Sequence, residues 1–161
     1  MRAKVITVSD RASSGGYEDR SGPLLAGLLA EAGCDVDGPV VVPDGDPVEV
    51  ELRAAVASGY DVVVTTGGTG IAARDLTPEA TARVLDREIV GIAEAIRSAG
   101  RAKVAAAALS RGLAGVCGRT LIVNLPGSTG GVRDGMGVLG PLLGHAVAQL
   151  AGEDHGPGGD S

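Results

Sequence analysis

The chain contains no phenylalanine and no tryptophan, and its only aromatic side chains are Tyr17 and Tyr60. A core centred on large rings is thereby excluded, and close packing has to come from Val, Leu, Ile and Ala. Cysteine is equally scarce: Cys34 and Cys117 lie far apart and form no C-x-x-C pair. Neither a zinc site nor a disulfide framework is indicated, and both thiols are expected to be buried. Positive charge is in deficit, with 14 Lys and Arg against 20 Asp and Glu and a net charge of −6. That balance speaks against a nucleic-acid or membrane-surface partner. A long apolar run is missing too. The longest uncharged stretch, 135–152, is interrupted by glycines, Pro141, His145 and Gln149, which argues for a buried or interface helix rather than a membrane span. The start of the chain carries a short strand-like run with Arg2 and Lys4 instead of a leader's apolar core, so the expected location is cytoplasmic.

What is present suits one domain. The 161 residues suffice for a single core, assigned to 1–151, with the glycine-rich polar end 152–161 expected to be a disordered tail. "KVITV" at 4–8 reads as a strand and is followed by a polar loop. Leu24, Leu25, Leu28 and Leu29 recur at helical spacing within 21–32, and Gly33 offers a stop. A second strand at 36–43 carries a break at Gly38 and Pro39. Asp46 and Pro47 then read as N-cap and first helical residue, and Thr77 and Pro78 repeat the signal for a helix toward Asp86. Between them, 60–66 is a β-branched run suited to a strand buried on both faces.

The segment 89–100 has an amphipathic helical pattern, 103–109 fits helix or strand equally, and 119–125 is a strand closed by a Pro-Gly turn. Leu139, Leu142, Leu143, Ala146 and Leu150 form the stripe of one last helix. Alternating strands and helices predict an α/β fold with a mostly parallel sheet covered on both faces. Ligands in such sheets bind beyond the carboxyl ends of the strands, which gathers the loops after residues 8, 42, 66 and 125.

Within "TTGGTGIAARDLTPEA", 65–80, the letters from Gly68 to Ala73 meet the G-x-G-x-x-A dinucleotide pattern. The pattern works only when a helix begins at once and aims its N-terminus at a pyrophosphate. Here Arg74, Asp75 and Thr77-Pro78 postpone the helix, and Asp86 and Glu88, at the distance of the expected ribose-binding acid, sit in helical sequence. A nicotinamide oxidoreductase is therefore disfavoured. No Walker-type G-x-x-x-x-G-K-[ST] occurs.

Two readings of the loop stay open. It is a tight structural turn, or Gly67, Gly68 and Gly70 turn amides toward an anion, with Thr65, Thr66 and Thr69 as hydroxyl donors. Asp75 would repel a bare phosphate, so it fits the second reading when a divalent cation intervenes, with Asp44 as a second carboxylate. Either aspartate alone is equally a cap or a solvated side chain. Ser9, Asp10, Arg11, Ser13, Ser14, Ser128 and Thr129 add polar groups. Arg11, Arg74 and Arg111 are candidate counter-charges. His145 and His155 read as structural or solvated, and no protein nucleophile is evident.

Four ordered motifs, "VSDRASSGGYEDRSGP", "TTGGTGIAARDLTPEA", "LSRGLAG" at 109–115 and "LIVNLPGS" at 121–128, together resemble the molybdopterin adenylyltransferases of molybdenum cofactor biosynthesis, which include bacterial Mog proteins and a domain of gephyrin. The resemblance spans most of the chain. It implies a three-layer α/β/α domain, a homotrimer, and Mg²⁺-dependent transfer of the adenylyl group of ATP to molybdopterin with release of pyrophosphate. On the matching positions it implies Asp44 and Asp75 as catalytic and metal-binding residues, and Thr66, Gly67, Gly68, Thr69 and Gly70 as the nucleotide loop. Ser9, Asp10, Ser110, Pro126, Gly127 and Ser128 are implied as molybdopterin-binding residues. Many Mog sequences have a proline just after the "LPG" turn where this chain has Ser128-Thr129-Gly130. That turn resembles the sister MoaB-type branch, for which a non-catalytic molybdopterin-binding or scaffold role is the alternative. Molybdate insertion would need a separate insertase partner.

Overall fold

The structure, a computed structural model, describes residues 1–153. The tail expected at 152–161 lies, from residue 154 onward, outside the described residues, as does His155. Six strands form one sheet: β1 (Arg2–Val8), β2 (Asp35–Val42), β3 (Val62–Thr66), β4 (Arg87–Glu88), β5 (Ala114–Cys117) and β6 (Thr120–Leu125), in the order β2-β1-β3-β6-β5-β4. The first four in that order run parallel, and β5 and β4 are antiparallel to their neighbours. Helices α1 (Asp10–Ser13), α2 (Ser21–Glu31), α3 (Asp46–Ala57), α4 (Thr77–Val84), α5 (Val90–Arg101), α6 (Thr129–Leu139) and α7 (Leu143–Leu150) complete the chain, with 3₁₀ turns at Ala105–Leu109 and Gly140–Leu142.

Strand alternation sorts the core into two halves. Ala3, Val5, Val62, Val64, Leu121 and Val123 pack with Leu25, Leu29, Ile92, Ile96, Met136 and Leu139 on one face. Ile6, Val8, Val63 and Ile122 pack with Val48, Leu52, Ala80 and Val84 on the other. The expected three-layer α/β/α architecture is thus present, filled mainly by aliphatic side chains. No helix among the described residues is long and apolar enough to cross a membrane.

Several expectations need correction. Gly45, at φ +101°, precedes α3, so Asp46 is its first helical residue and not its cap. Leu76 occupies the cap position of α4, and the Thr77 hydroxyl instead donates to the carbonyl of Gly67 at 3.1 Å. The single last helix is two helices. Pro141 has no amide to donate to the ladder, and the chain passes through a 3₁₀ turn that leaves Leu142 exposed while Leu139 and Leu143 are buried. Residues 103–109 are neither helix nor strand but largely the 3₁₀ turn. Asp86 follows α4, and Glu88 lies in β4, not in a helix. Cys34 is buried as expected, whereas Cys117 is only half-buried at the end of β5.

A buried amide ties the sheet to the helix beside the central loop. Asn124 on β6 donates through Nδ2 to the hydroxyls of Thr65 and Thr81, both at 3.0 Å, and accepts the amide of Leu113 at 3.0 Å. All three side chains are essentially inaccessible to solvent, so each loses its water partners and depends on this network. Asn124→Ala strands the Leu113 amide and leaves a cavity, which should cost about 3 kcal/mol. A urea titration should show a lowered midpoint with an unchanged m value, and a midpoint equal to wild type would mean that the network contributes nothing.

Candidate functional site

The loops after β1, β2, β3 and β6 converge at the carboxyl end of the sheet, where the chain goes from β1 to β2 on one side and then to β3 on the other. This switch of direction opens a crevice in sheets of this type. Two cavities occupy it. The first, about 650 Å³, is lined by Ser9, Asp10, Asp44, Thr66, Gly67 and Gly68, among others. The second, about 760 Å³, is lined by Thr69, Gly70, Ser110, Pro126, Arg97 and Arg133, among others. Gly68, Asp75, Gly127 and Ser128 line both. The residues implied for molybdopterin are therefore divided, with Ser9 and Asp10 in one cavity and Ser110 and Pro126 in the other.

The central loop is shaped by an absence of Cβ atoms. Gly67 and Gly68 have φ of +100° and +67°, a region that L side chains adopt only under strain. A Cβ on Gly67 would lie 2.2 Å from the carbonyl oxygen of Val8, and one on Gly68 would lie 2.2 Å from the Thr77 hydroxyl. The Gly67 amide donates to Leu125 and extends the β3–β6 ladder, so it is not available to an anion. The amides of Gly68, Thr69 and Gly70 have no partner among the described residues and remain available. Of the three threonines, Thr65 is bound within the Asn124 network and Thr66 donates its hydroxyl to the carbonyl of Pro126 at 2.7 Å. Both are structural, and Thr66 contributes to the first cavity as part of its wall.

Two carboxylates flank this loop. Asp44 accepts through Oδ1 from the amides of Gly45 and Leu76, both at 3.0 Å, and its Oδ2 lies 2.6 Å from the Cβ that Gly68 would carry. Asp75 accepts through Oδ2 from the amide of Ala72 at 3.0 Å, beside Gly70. Each keeps one oxygen without a protein partner among the described residues. Burial pushes the Asp44 carboxyl above the ordinary carboxylate range; its two backbone hydrogen bonds oppose the shift, and the charges of Asp75 and Asp10 add to it. Asp10 in turn accepts the Asp44 amide at 2.9 Å and faces Arg74 at 3.1 Å.

No group of three His, Cys, Asp or Glu side chains capable of holding a metal occurs among the described residues. A pair of carboxylates is nonetheless the usual protein share of a Mg²⁺ site whose other ligands are water and substrate phosphates. The donor set fits that ion and does not resemble a closed, all-protein cage.

Ser9 and Ser128 have a second employment as N-caps, accepting from the amides of Ala12 and Gly131. Ser110 accepts the amide of Gly112 at 3.4 Å. Arg111 turns toward the carbonyls of the central loop and lines neither cavity, so it is not a free counter-charge. Sequence reasoning passed over Arg97, Lys103, Arg133 and Asp134 of the second cavity. They follow no motif and are brought together only by the packing of α5 on α6.

A family model described as "Probable molybdopterin binding domain" matches residues 4–145. The molybdenum cofactor biosynthesis protein B of Bacillus cereus is 40% identical, covering 93% of this chain and 90% of that protein. A protein of Helicobacter pylori named molybdopterin adenylyltransferase is 37% identical, over 92% of this chain and 86% of its own. A solved molybdopterin biosynthesis protein from Mycobacterium abscessus superposes with a TM-score of 0.89 at 51% identity, covering 94% of this chain and 96% of that one. The chain spans about half the length of two longer relatives, named molybdenum cofactor biosynthesis bifunctional proteins, at 49% and 50% of their residues.

The raised proton affinity of Asp44 has a consequence for stability. A carboxyl that holds its proton more tightly folded than unfolded stabilises the fold at low pH and loses that contribution as pH rises through its folded pKa. Asp44→Asn keeps an oxygen for both backbone amides and removes the charge. At pH 8 the variant should melt above the wild type in a thermal scan. That difference should shrink as pH falls through the acid range. A variant less stable than wild type at pH 8 would show that the carboxylate is held favourably.

Proposed function

This chain belongs to the molybdopterin-binding family of molybdenum cofactor biosynthesis, and we propose that it transfers the adenylyl group of ATP to molybdopterin. A terminal phosphate oxygen of the pterin forms a bond to the α-phosphorus of ATP, the bond from that phosphorus to the bridging oxygen breaks, and pyrophosphate leaves. The reading is supported above all by two cavities that meet at one glycine loop. Joining two phosphate-bearing substrates requires each to have its own pocket and both phosphates to share a wall, which the residues common to both cavities supply. The name of the Helicobacter relative points the same way.

The reaction needs neutralisation of charge on the transferring phosphoryl group and little covalent participation by protein. The unpaired amides of Gly68, Thr69 and Gly70 provide fixed dipoles beside that wall. Asp44 and Asp75 would hold Mg²⁺, which supplies Lewis-acid stabilisation of phosphate oxygens when bound. Without such an ion, the two carboxylates would oppose an incoming polyphosphate. A homotrimeric assembly and a separate molybdenum insertase complete the proposal as features implied by the family resemblance.

Asp75→Asn should reduce pyrophosphate release from ATP, molybdopterin and Mg²⁺ by about 10²–10³-fold, with the fold intact by circular dichroism. Chelation of the divalent ion should stop the wild-type reaction. Retention of molybdopterin by the wild type with no pyrophosphate above background would instead establish a non-catalytic carrier, and unaltered turnover in the variant would remove Asp75 from the mechanism.

A further inference from the structure

Arg111 makes a set of contacts that the proposed chemistry does not use. Its backbone amide donates to the carbonyl of Thr69 at 2.7 Å. Its guanidinium donates through Nε to the carbonyl of Gly70 at 2.8 Å, through Nη2 to the carbonyl of Asp75 at 2.5 Å, and through Nη1 to the carboxylate of Glu79 on α4. The loop 67–76 has no helix or strand of its own. Apart from Arg111, its outer half is held by the turn in which Ala72 and Asp75 exchange hydrogen bonds, by the Leu76 amide on Asp44 and by the exposed Arg74 side chain on Asp10 at 3.1 Å.

We propose that Arg111 is a positioning residue for the reaction: by bracing the carbonyls of Thr69, Gly70 and Asp75 it fixes where the loop amides and the Asp75 carboxylate point. The inference rests on the adenylyl-transfer reading for its kinetic consequence. Three observations carry it. The fork closes the excursion between Gly70 and Asp75, so the two ends of the segment bearing the carboxylate are fixed to one rigid plane. Arg111 lines neither cavity, so it acts through the loop and not on the substrate. Glu79 secures the far side of the guanidinium and is held below the ordinary carboxylate range chiefly by the hydrogen bond from Arg111.

The arrangement is specific to arginine. A planar guanidinium can satisfy two carbonyls and a carboxylate in different directions, while a lysine ammonium is a point donor that cannot span them. The residue before it, Ser110, lines the second cavity, so the same short segment braces the loop and forms a wall opposite it.

The test uses the full chain with Arg111→Ala and Arg111→Lys, assayed for pyrophosphate release and for tryptic cleavage after Arg74, whose side chain is 82% exposed within the braced loop. Both variants should lose about 100-fold in kcat, with KM unchanged within about twofold. Cleavage after Arg74, identified by fragment mass, should accelerate about tenfold because the loop opens more often. A loss confined to KM would place Arg111 on the substrate and overturn the proposal. So would an unchanged kcat, or a lower kcat with an unchanged cleavage rate. Should Arg111→Ala fail to fold, Arg111→Lys decides by the same criteria. If the wild type itself releases no pyrophosphate, the activity reading fails while the cleavage rates still decide whether Arg111 braces the loop.

Discussion

The structure depends on how closely three backbone segments approach at the carboxyl end of the sheet. Gly67 lies so near the end of β1 that a single added carbon would meet the Val8 carbonyl at 2.2 Å, and Gly127 would place a carbon 3.2 Å from Gly67 itself. Glycine on both sides lets the turn after β6 rest directly on the turn after β3. The Gly67 amide stays in the sheet while the chain reverses immediately afterwards. The amides of Gly68, Thr69 and Gly70 that follow have no partner among the described residues, and Gly68 and Gly127 line both cavities.

That constraint also sets backbone amides beside the charged side chains of the site. The chain carries a net charge of −6, and of the arginines near the loop Arg74 faces Asp10 and Arg111 faces carbonyls and Glu79, while Arg11 lines the first cavity and Arg97 and Arg133 line the second. In the proposed reaction, anion recognition at the shared wall would draw on backbone dipoles as well as on these side chains, and dipoles fixed by the fold need little reorganisation when charge develops. Asp75 on that wall and Asp44 in the first cavity are the carboxylates that the proposed divalent ion would use.

Much of the architecture was legible because strong local signals agreed with tertiary demand. The buried run ending in Thr65 and Thr66, the Pro47 and Pro78 helix starts and the glycine loop all correspond to real features, with the cap positions shifted by one residue. What escaped had weak or conflicting local signal. The strands β4 and β5 are two and four residues long, and β5 contains Gly115, which lowers strand propensity but is needed there because a Cβ would meet the Arg87 carbonyl at 2.3 Å. The stripe of leucines across Pro141 imitated one helix, since side-chain periodicity does not record a missing amide. The candidate residues were mostly found by motif, but their division between two cavities was hidden, because sequence order does not reveal which side of the central loop a segment faces.

The two ends of the sheet bear on how the chain behaves in company. At one edge β4 offers only Arg87 and Glu88, both exposed and of opposite charge. At the other, β2 carries Asp35, Asp37 and Pro39 and is bulged against β1 between Lys4 and Ile6. Short, charged, irregular and proline-bearing edges are poor templates for strand addition. The fully buried central strands β3 and β6 are shielded between them. A protein whose core consists of continuous β-branched segments thus keeps its most amyloid-like sequences away from any surface on which a second molecule could nucleate.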